Sequence, residues 1–158
     1  MDVVGLSYKI TPDLSFSTSV IDLGKINWRN NLLPNQWMIT HNSWWDSVDS
    51  TNSFVISKYF LQFPEAIEPV TSKWNQSSNK WLQRMSLLFQ LLYKDKTDTI
   101  LLSKYIEYTQ LEEDFFIRKA IGWALRAYAY TDPKWVKNFV KIHPQLSNLS
   151  KKEALKHQ

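Results

Sequence analysis

The most regular hydrophobic pattern in the chain lies in residues 114–130, where apolar side chains recur at helical spacing. Ile121, Ala124 and Leu125 form one stripe, with Phe116 and Ile117 a turn earlier, which predicts a helix that buries this face. The acidic residues 112–114 precede the stripe and complement the positive N-terminal end of the helix dipole. The positions left over form a cationic face that also carries an indole: Arg118, Lys119, Gly122, Trp123 and Arg126. Burial in the core does not explain a face of this composition.

Capping residues and prolines divide the rest of the chain into further helices. Predicted N-caps and first-turn prolines are Ser43, Pro64, Ser77 with Ser78, Thr97 with Asp98, Asp132 with Pro133, and Ser150. The helices that they begin cover about 44–61, 65–75, 79–94, 98–109, 133–142 and 151–158. A short segment over 33–40 also has helical character, whereas residues 1–32 keep no sustained period and are predicted to be irregular or weakly ordered. The expected helical domain is therefore 33–158.

The helical part contains an internal repeat with an offset of 34 residues. Aligning residues 81–84 with 115–118 also brings 97–98 onto 131–132, and Asp49 stands 35 residues before the arginine of the first segment. Helix pairs of this period stack in α-solenoids, which place equivalent helices side by side on one concave surface. We expect that surface to carry Trp45, Asp49, Trp81, Arg84, Arg118, Trp123 and Arg126.

Length and composition restrict the possible classes of function. A chain of 158 residues fits one domain that buries a core without disulfides, and it contains no cysteine. His41, His143 and His157 are too scattered to form a ligand cluster, so neither a metal nor another cofactor is expected. The chain lacks an apolar run that could span a bilayer, and its start does not resemble a signal peptide. We predict a cytoplasmic protein without membrane contact.

Charge is distributed unevenly along the chain. Residues 1–72 hold four cations and seven acids, whereas residues 73–158 hold fifteen cations and eight acids. The basic part therefore coincides with the predicted repeats. This asymmetry favours a polyanionic partner, although a solvated basic surface on a helical domain gives the same count.

Asp49 is the acid for which the sequence offers no structural role. It stands four residues after Trp45, so both side chains project from the same side of a helix, and it caps nothing. The simpler interpretations are an exposed acid for Asp49, a solvated charge or interhelical salt bridge for Arg84, and core packing for Trp45 and Trp123. An acid, arginines and indoles at corresponding positions of successive helices suggest a site instead.

Such a mixture suits the cleavage of one kind of glycosidic bond. A purine alkylated at N3 or N7 is cationic and already a good leaving group. Its removal mainly needs a water molecule and stabilisation of an oxocarbenium-like sugar, and one positioned carboxylate can supply both. Aromatic faces attract cations, and arginine and lysine bind phosphate.

Longer segments of the sequence carry a resemblance to a known family. They are Ser43-Trp-Trp-Asp-Ser-Val-Asp49, Lys80-Trp-Leu-Gln-Arg-Met85 with Phe89-Gln-Leu-Leu-Tyr-Lys94, Phe115-Phe-Ile-Arg-Lys-Ala-Ile-Gly-Trp-Ala-Leu-Arg126, and Leu149-Ser-Lys-Lys-Glu-Ala-Leu-Lys156. Together they cover roughly residues 38–157. On these residues the chain resembles the AlkD-like DNA alkylation repair glycosylases, which have HEAT-like repeats.

The resemblance implies an all-α fold, a right-handed superhelical stack of HEAT-like antiparallel helix pairs. It also implies a base excision repair enzyme, a DNA-3-methyladenine/7-methylguanine glycosylase that removes cationic N3- and N7-alkylpurines from duplex DNA without a metal. In the family the catalytic carboxylate corresponds to Asp49, the two indoles to Trp45 and Trp123, and the catalytic-site arginine to Arg84. The expected DNA-binding residues are Arg84, Arg118, Lys119, Arg126 and Trp81.

The chain departs from this family at its N-terminus. Family members carry several additional helices before the segment that begins at Ser43, whereas this chain has about 35 residues without a repeat pattern there. It therefore resembles a truncated member, which we expect to be a monomer. The alternative is a non-catalytic helical-repeat module that binds duplex DNA or a protein partner.

Overall fold

A computed structural model of the protein describes residues 6–11, 14–18, 49 and 52–156. The chain divides into two compact units, Met1–Pro34 and Asn35–Gln158. The predicted cap at Ser43, the short segment over 33–40 and Trp45 lie outside the described residues.

The first unit contains a β-hairpin. Strand β1 (Leu6–Thr11) pairs antiparallel with β2 (Leu14–Thr18), from Leu6 opposite Thr18 to Thr11 opposite Leu14. The prediction of irregular structure is therefore wrong for these two segments. Both alternate apolar and polar residues around the short Pro-Asp connection, a period-two pattern that indicates strands and that a search for helical periods passes over.

The second unit is built from helices. Residue 49 is helical, and a π-helical turn covers Asn52–Ile56. The α-helices are α1 (Ser57–Gln62), α2 (Ile67–Asn75), α3 (Lys80–Leu88), α4 (Thr99–Thr109), α5 (Phe115–Ala129), α6 (Pro133–Ile142) and α7 (Asn148–Ala154). Short 3-10 turns at Pro64–Ala66 and Lys94–Lys96 precede α2 and α4. In its described residues this unit contains no strand, which confirms the all-α prediction there.

The predicted helix over 79–94 ends earlier, and a side chain beyond its end fixes the turn that follows. Helix α3 stops at Leu88 and is followed by turns. The Gln90 side chain then binds the backbone of Asp98 twice, as its Oε1 accepts from the amide at 2.6 Å and its Nε2 donates to the carbonyl at 3.3 Å. These two bonds fix the turn to the start of α4, which the helical periodicity of the sequence does not reveal.

The helix caps agree with the sequence at two positions and differ at two others. Asp98 and Asp132 accept from the amides of Leu101 and Trp135, as predicted. The cap predicted at Ser77 and Ser78 is instead Asn79, and the cap predicted at Ser150 is instead Ser147. Ser150 is fully buried and donates from Oγ to the carbonyl of Arg118, so a packing role replaces the capping role.

The helices form two rows that are linked by contacts about one repeat apart. The first row is α3, α5 and α7, and the second row is α2, α4 and α6. In the first row Lys119 of α5 binds Glu153 of α7, 34 residues later. In the second row the hydroxyls of Thr71 and Tyr105, also 34 residues apart, lie within 2.6 Å. The 34-residue period therefore corresponds to a spatial repeat, and its right-handed superhelical course stays a prediction.

The core lies between the rows and contains the predicted stripe of α5. Ile117, Ile121, Ala124 and Leu125 are all buried, whereas Phe116 is only partly buried. They pack in a core with other large side chains that are fully buried: Phe60, Met85, Leu88, Phe89, Tyr105 and Ile106. Each large aliphatic side chain contributes about 1.5–3 kcal/mol through burial.

Candidate functional site

Asp49 and Arg84 form a buried, two-pronged ion pair. Nε of Arg84 donates to Oδ1 of Asp49 at 2.8 Å, and Nη2 donates to Oδ2 at 2.7 Å. The Arg84 side chain is only 4% exposed and the Asp49 side chain 12%. The two partners are 35 residues apart in the sequence, so the pair joins one repeat to the next. This geometry matches the planar fork of a guanidinium to a carboxylate and fixes the orientation of the acid.

The same guanidinium also contacts α5. Its Nη1 donates to the carbonyl of Phe116 at 2.7 Å, and its central carbon lies 5.9 Å from the ring centroid of Trp123. Arg84 therefore holds the carboxylate on one side and lies beside the indole on the other. Of the predicted catalytic residues, the structure brings together Asp49, Arg84 and Trp123, whereas Trp45 lies outside the described residues.

Arg84 was also predicted to contact phosphate, and its surroundings favour a different role. Its carboxylate, carbonyl and indole partners enclose the guanidinium, which leaves 3% of the residue exposed. This arrangement is the interhelical salt bridge that the sequence left open as an alternative. Removing one partner of such a pair leaves a buried charge alone, which costs about 3–5 kcal/mol.

Lys119 and Arg126 share one carboxylate of α7. Nζ of Lys119 and Nη1 of Arg126 donate to the two oxygens of Glu153 at 2.7 and 2.6 Å. The hydrogen bond from Lys119 lowers the pKa of Glu153 despite its partial burial, and the charges of Lys119, Arg126 and Lys156 act in the same direction. The two predicted DNA-binding cations are thus already ordered within the protein.

A glycine allows α7 to approach this closely. A β-carbon at Gly122 would lie 2.5 Å from Cβ of Glu153 and 2.9 Å from the carbonyl of Ser150. Gly122, which the sequence placed on the cationic face, is buried for this reason. The close contact brings Glu153 between the cations that precede and follow Trp123.

The remaining predicted DNA-binding residues, Arg118 and Trp81, lie near the N-terminal end of α5. Nε of Arg118 donates to the carbonyl of Glu112 at 2.9 Å. Trp81 packs on Phe116 with ring centroids 5.0 Å apart, and Nζ of Lys80 lies 5.1 Å from the indole.

Sequence reasoning missed two charged residues of the first row. Lys80 donates to Asp114, the N-cap of α5, at 3.2 Å, and Glu153 binds Lys119. In both pairs the partners stand 34 residues apart. Opposite charges at the repeat offset are therefore a signal that could have found them.

The described residues contain no group of three or more His, Cys, Asp or Glu side chains that could hold a metal ion. Among them there is also no helix with the length and apolar character needed to cross a membrane. The structure places the Asp49 carboxylate, the enclosed guanidinium of Arg84 and the Trp123 indole together, and Lys119 and Arg126 lie on the same helix as the indole.

These contacts define a class of protein. It is a helical protein in which one guanidinium binds a carboxylate and lies beside an indole, next to further cations. Comparison with known proteins identifies the family. The family described as "DNA alkylation repair enzyme" matches residues 31–158, and the chain belongs to this family.

A solved structure supports the assignment. A predicted DNA alkylation repair enzyme from Enterococcus faecalis shares 33% sequence identity with this chain and has a TM-score of 0.73. The match covers 83% of this chain and 62% of that chain, so our protein spans less than two thirds of the matched structure. No curated protein matched the sequence.

Proposed function

We propose that the protein is a DNA glycosylase that removes cationic N3- and N7-alkylated purines from duplex DNA. The observation that carries this proposal is the Asp49 carboxylate, which Arg84 orients at 2.7 and 2.8 Å while the same guanidinium lies beside Trp123. Family membership supports alkylated DNA as the substrate class.

In the proposed reaction Asp49 faces the sugar of the lesion. As the bond to the cationic base breaks, positive charge develops on the deoxyribose, and a fixed carboxylate stabilises that charge without reorganising. Each carboxylate oxygen accepts one hydrogen bond from Arg84 and has a second lone pair, which can accept from the attacking water. Trp123, with Trp45, would border the sugar through indole faces, which attract cations.

Arg84 acts in this proposal through Asp49. Its contacts hold the acid, the start of α5 and the indole in one arrangement. The proposed DNA contacts are Lys119, Arg126, Arg118 and Trp81, since these side chains are more exposed than Arg84. No metal or cofactor is part of the proposed reaction.

The direct test is single-turnover release of base from a duplex that carries one N7-methylguanine. Asp49→Asn keeps the size of the side chain and removes its charge, so we expect release to fall by at least about 100-fold. Glu107→Gln is the matched control, because Glu107 is an exposed carboxylate of α4 in the second row and should leave the rate unchanged.

Two results would contradict the proposal. One is equal release by wild type and Asp49→Asn, which would remove the carboxylate from the reaction. The other is no release by a wild type whose cooperative thermal unfolding shows that it is folded.

Binding of duplex DNA without base release is the second candidate. It is favoured by the fact that both oxygens of Asp49 are already bound to Arg84, as in a purely structural link between repeats. In that case the wild type binds the methylated and unmethylated duplexes equally and releases no base.

A further inference from the structure

Glu153 of α7 is a partly buried acid within a set of cations. Its side chain is 12% exposed, whereas those of Lys119 and Arg126 are 39% and 22% exposed. The cations therefore extend further toward solvent than the carboxylate that binds them.

Both cations retain donors for another anion. A lysine ammonium has three donors and a guanidinium has five, and each uses one in its bond to Glu153. Among the described residues no other carboxylate pairs with either cation. One carboxylate for two cations also leaves one positive charge uncompensated, so Glu153 can orient both side chains without preventing a phosphate from binding them.

The position of Glu153 is fixed by the packing of α7. Gly122 admits its β-carbon, and Ser150 ties the first turn of α7 to α5 through the bond to the Arg118 carbonyl, at 2.9 Å. Lys119 and Arg126 stand four residues before and three residues after Trp123, which places all three on one side of α5. Glu153 thus controls the cations on both sides of the indole.

We propose that Glu153 is a positioning residue for DNA: it holds Lys119 and Arg126 so that both bind the phosphodiester backbone on either side of the nucleotide at Trp123. This inference rests on the proposed function, since it assigns the DNA contacts of the same site. It gives α7 a role in the reaction although α7 supplies no proposed catalytic residue.

The test compares three variants for binding and for base release. Glu153→Gln removes the charge but keeps the length, Glu153→Asp keeps the charge but shortens the reach, and Glu68→Gln is the control. Glu68 pairs with Lys104 between α2 and α4 of the second row, and both side chains are more than half exposed. Duplex affinity is measured against salt concentration, and base release is measured with the N7-methylguanine duplex at saturating protein.

We expect Glu153→Gln to steepen the dependence of log affinity on log salt by about one unit, because the net positive charge of the set rises by one when the carboxylate is lost. We also expect it to slow base release by about 10- to 100-fold, since the cations lose their fixed geometry. Glu153→Asp should slow release with the salt slope of the wild type, and Glu68→Gln should leave both the slope and the release rate unchanged.

Salt slopes and release rates of Glu153→Gln equal to those of Glu68→Gln would overturn the inference. A second result would also overturn it: both Glu153 variants release base more slowly in proportion to their loss of thermal stability, while their salt slopes equal that of the wild type. If the wild type releases no base but Glu153→Gln still steepens the slope, the proposed glycosylase fails while the assignment of the DNA contacts stands.

Discussion

In both rows of helices, charged side chains about one repeat apart pair between neighbouring helices, yet the surroundings of these pairs differ. In the second row, Lys104 and Glu68 lie 2.8 Å apart with 57% and 64% of their side chains exposed. Arg84 of the first row and Asp49, 35 residues before it, lie 2.7 Å apart with 4% and 12% of their side chains exposed. A spacing of about one repeat therefore produces a solvated pair at Lys104 and Glu68 and an enclosed pair at Arg84 and Asp49.

The difference shows how a repeat acquires a site without changing its architecture. Exposed pairs are screened by water and contribute little to stability. Enclosed pairs are strongly coupled to their surroundings, because an unpartnered buried charge is costly. Substitutions that remove one charge from each of these two pairs should therefore have very unequal effects on stability.

The largest effect is expected from Arg84→Met, which replaces the guanidinium by an apolar side chain. It leaves the Asp49 carboxylate and the Phe116 carbonyl without their donor. We expect the free energy of unfolding to fall by about 3–5 kcal/mol. Denaturant unfolding followed by circular dichroism measures this change.

The double variant Asp49→Leu with Arg84→Met is the control for Arg84→Met. It removes both charges, so most of the lost stability should return. A single Arg84→Met variant as stable as the wild type would show that the pair is not enclosed in solution.

A smaller loss is expected from Gly122→Ala, which tests the contact between α5 and α7. Alanine favours a helix over glycine by about 1 kcal/mol, which alone would stabilise the protein. The added carbon would lie 2.5 Å from Cβ of Glu153 and 2.9 Å from a backbone carbonyl, and such overpacking costs about 1–3 kcal/mol. A net decrease in melting temperature is expected, and an increase would show that α7 does not pack this closely.

The smallest effect concerns the dependence of stability on pH. The pKa of Glu153 is lowered from its ordinary value of 4.5, chiefly by the hydrogen bond from Lys119. A carboxyl group with a lowered folded-state pKa stabilises the protein above its unfolded-state value, and this contribution is lost as the pH falls through the folded-state value. The difference in melting temperature between wild type and Glu153→Gln should therefore be largest at pH 7 and shrink as the pH falls below the ordinary glutamate pKa, about 4.3.

Glu68→Gln provides the comparison in the second row for this pH series. Its melting temperature should stay close to that of the wild type throughout, since the pair it breaks is solvated. A difference for Glu153→Gln that stays constant from pH 7 into acid would exclude an ionic origin of its stabilisation.

Much of the helical unit was predictable because its elements are signalled locally. The caps Asp98 and Asp132 stand directly before apolar helical patterns, and the stripe of α5 is buried as its period predicts. The pairing of Asp49 with Arg84 also follows the repeat offset. The hairpin was missed because two short strands give only a few alternating positions.

What the sequence could not show is which donor each acceptor binds. The Ser150 hydroxyl donates to the Arg118 carbonyl, and Ser147 caps the helix instead. Nothing in the sequence near Ser150 indicates this. The surroundings of Arg84 were equally hidden, because a phosphate contact and an enclosed salt bridge require the same residue type. Both cases depend on how closely two helices approach.

The contacts of Arg84 also set an order of events for the chain during its synthesis. Asp49 stands 35 residues before Arg84, so these two partners can meet while translation continues. Phe116, whose carbonyl accepts from Arg84, is synthesised 32 residues after Arg84, and Trp123 is synthesised later still. A nascent chain that pauses before these residues leave the ribosome presents a hydrated guanidinium, and water is excluded from it only when α5 has emerged.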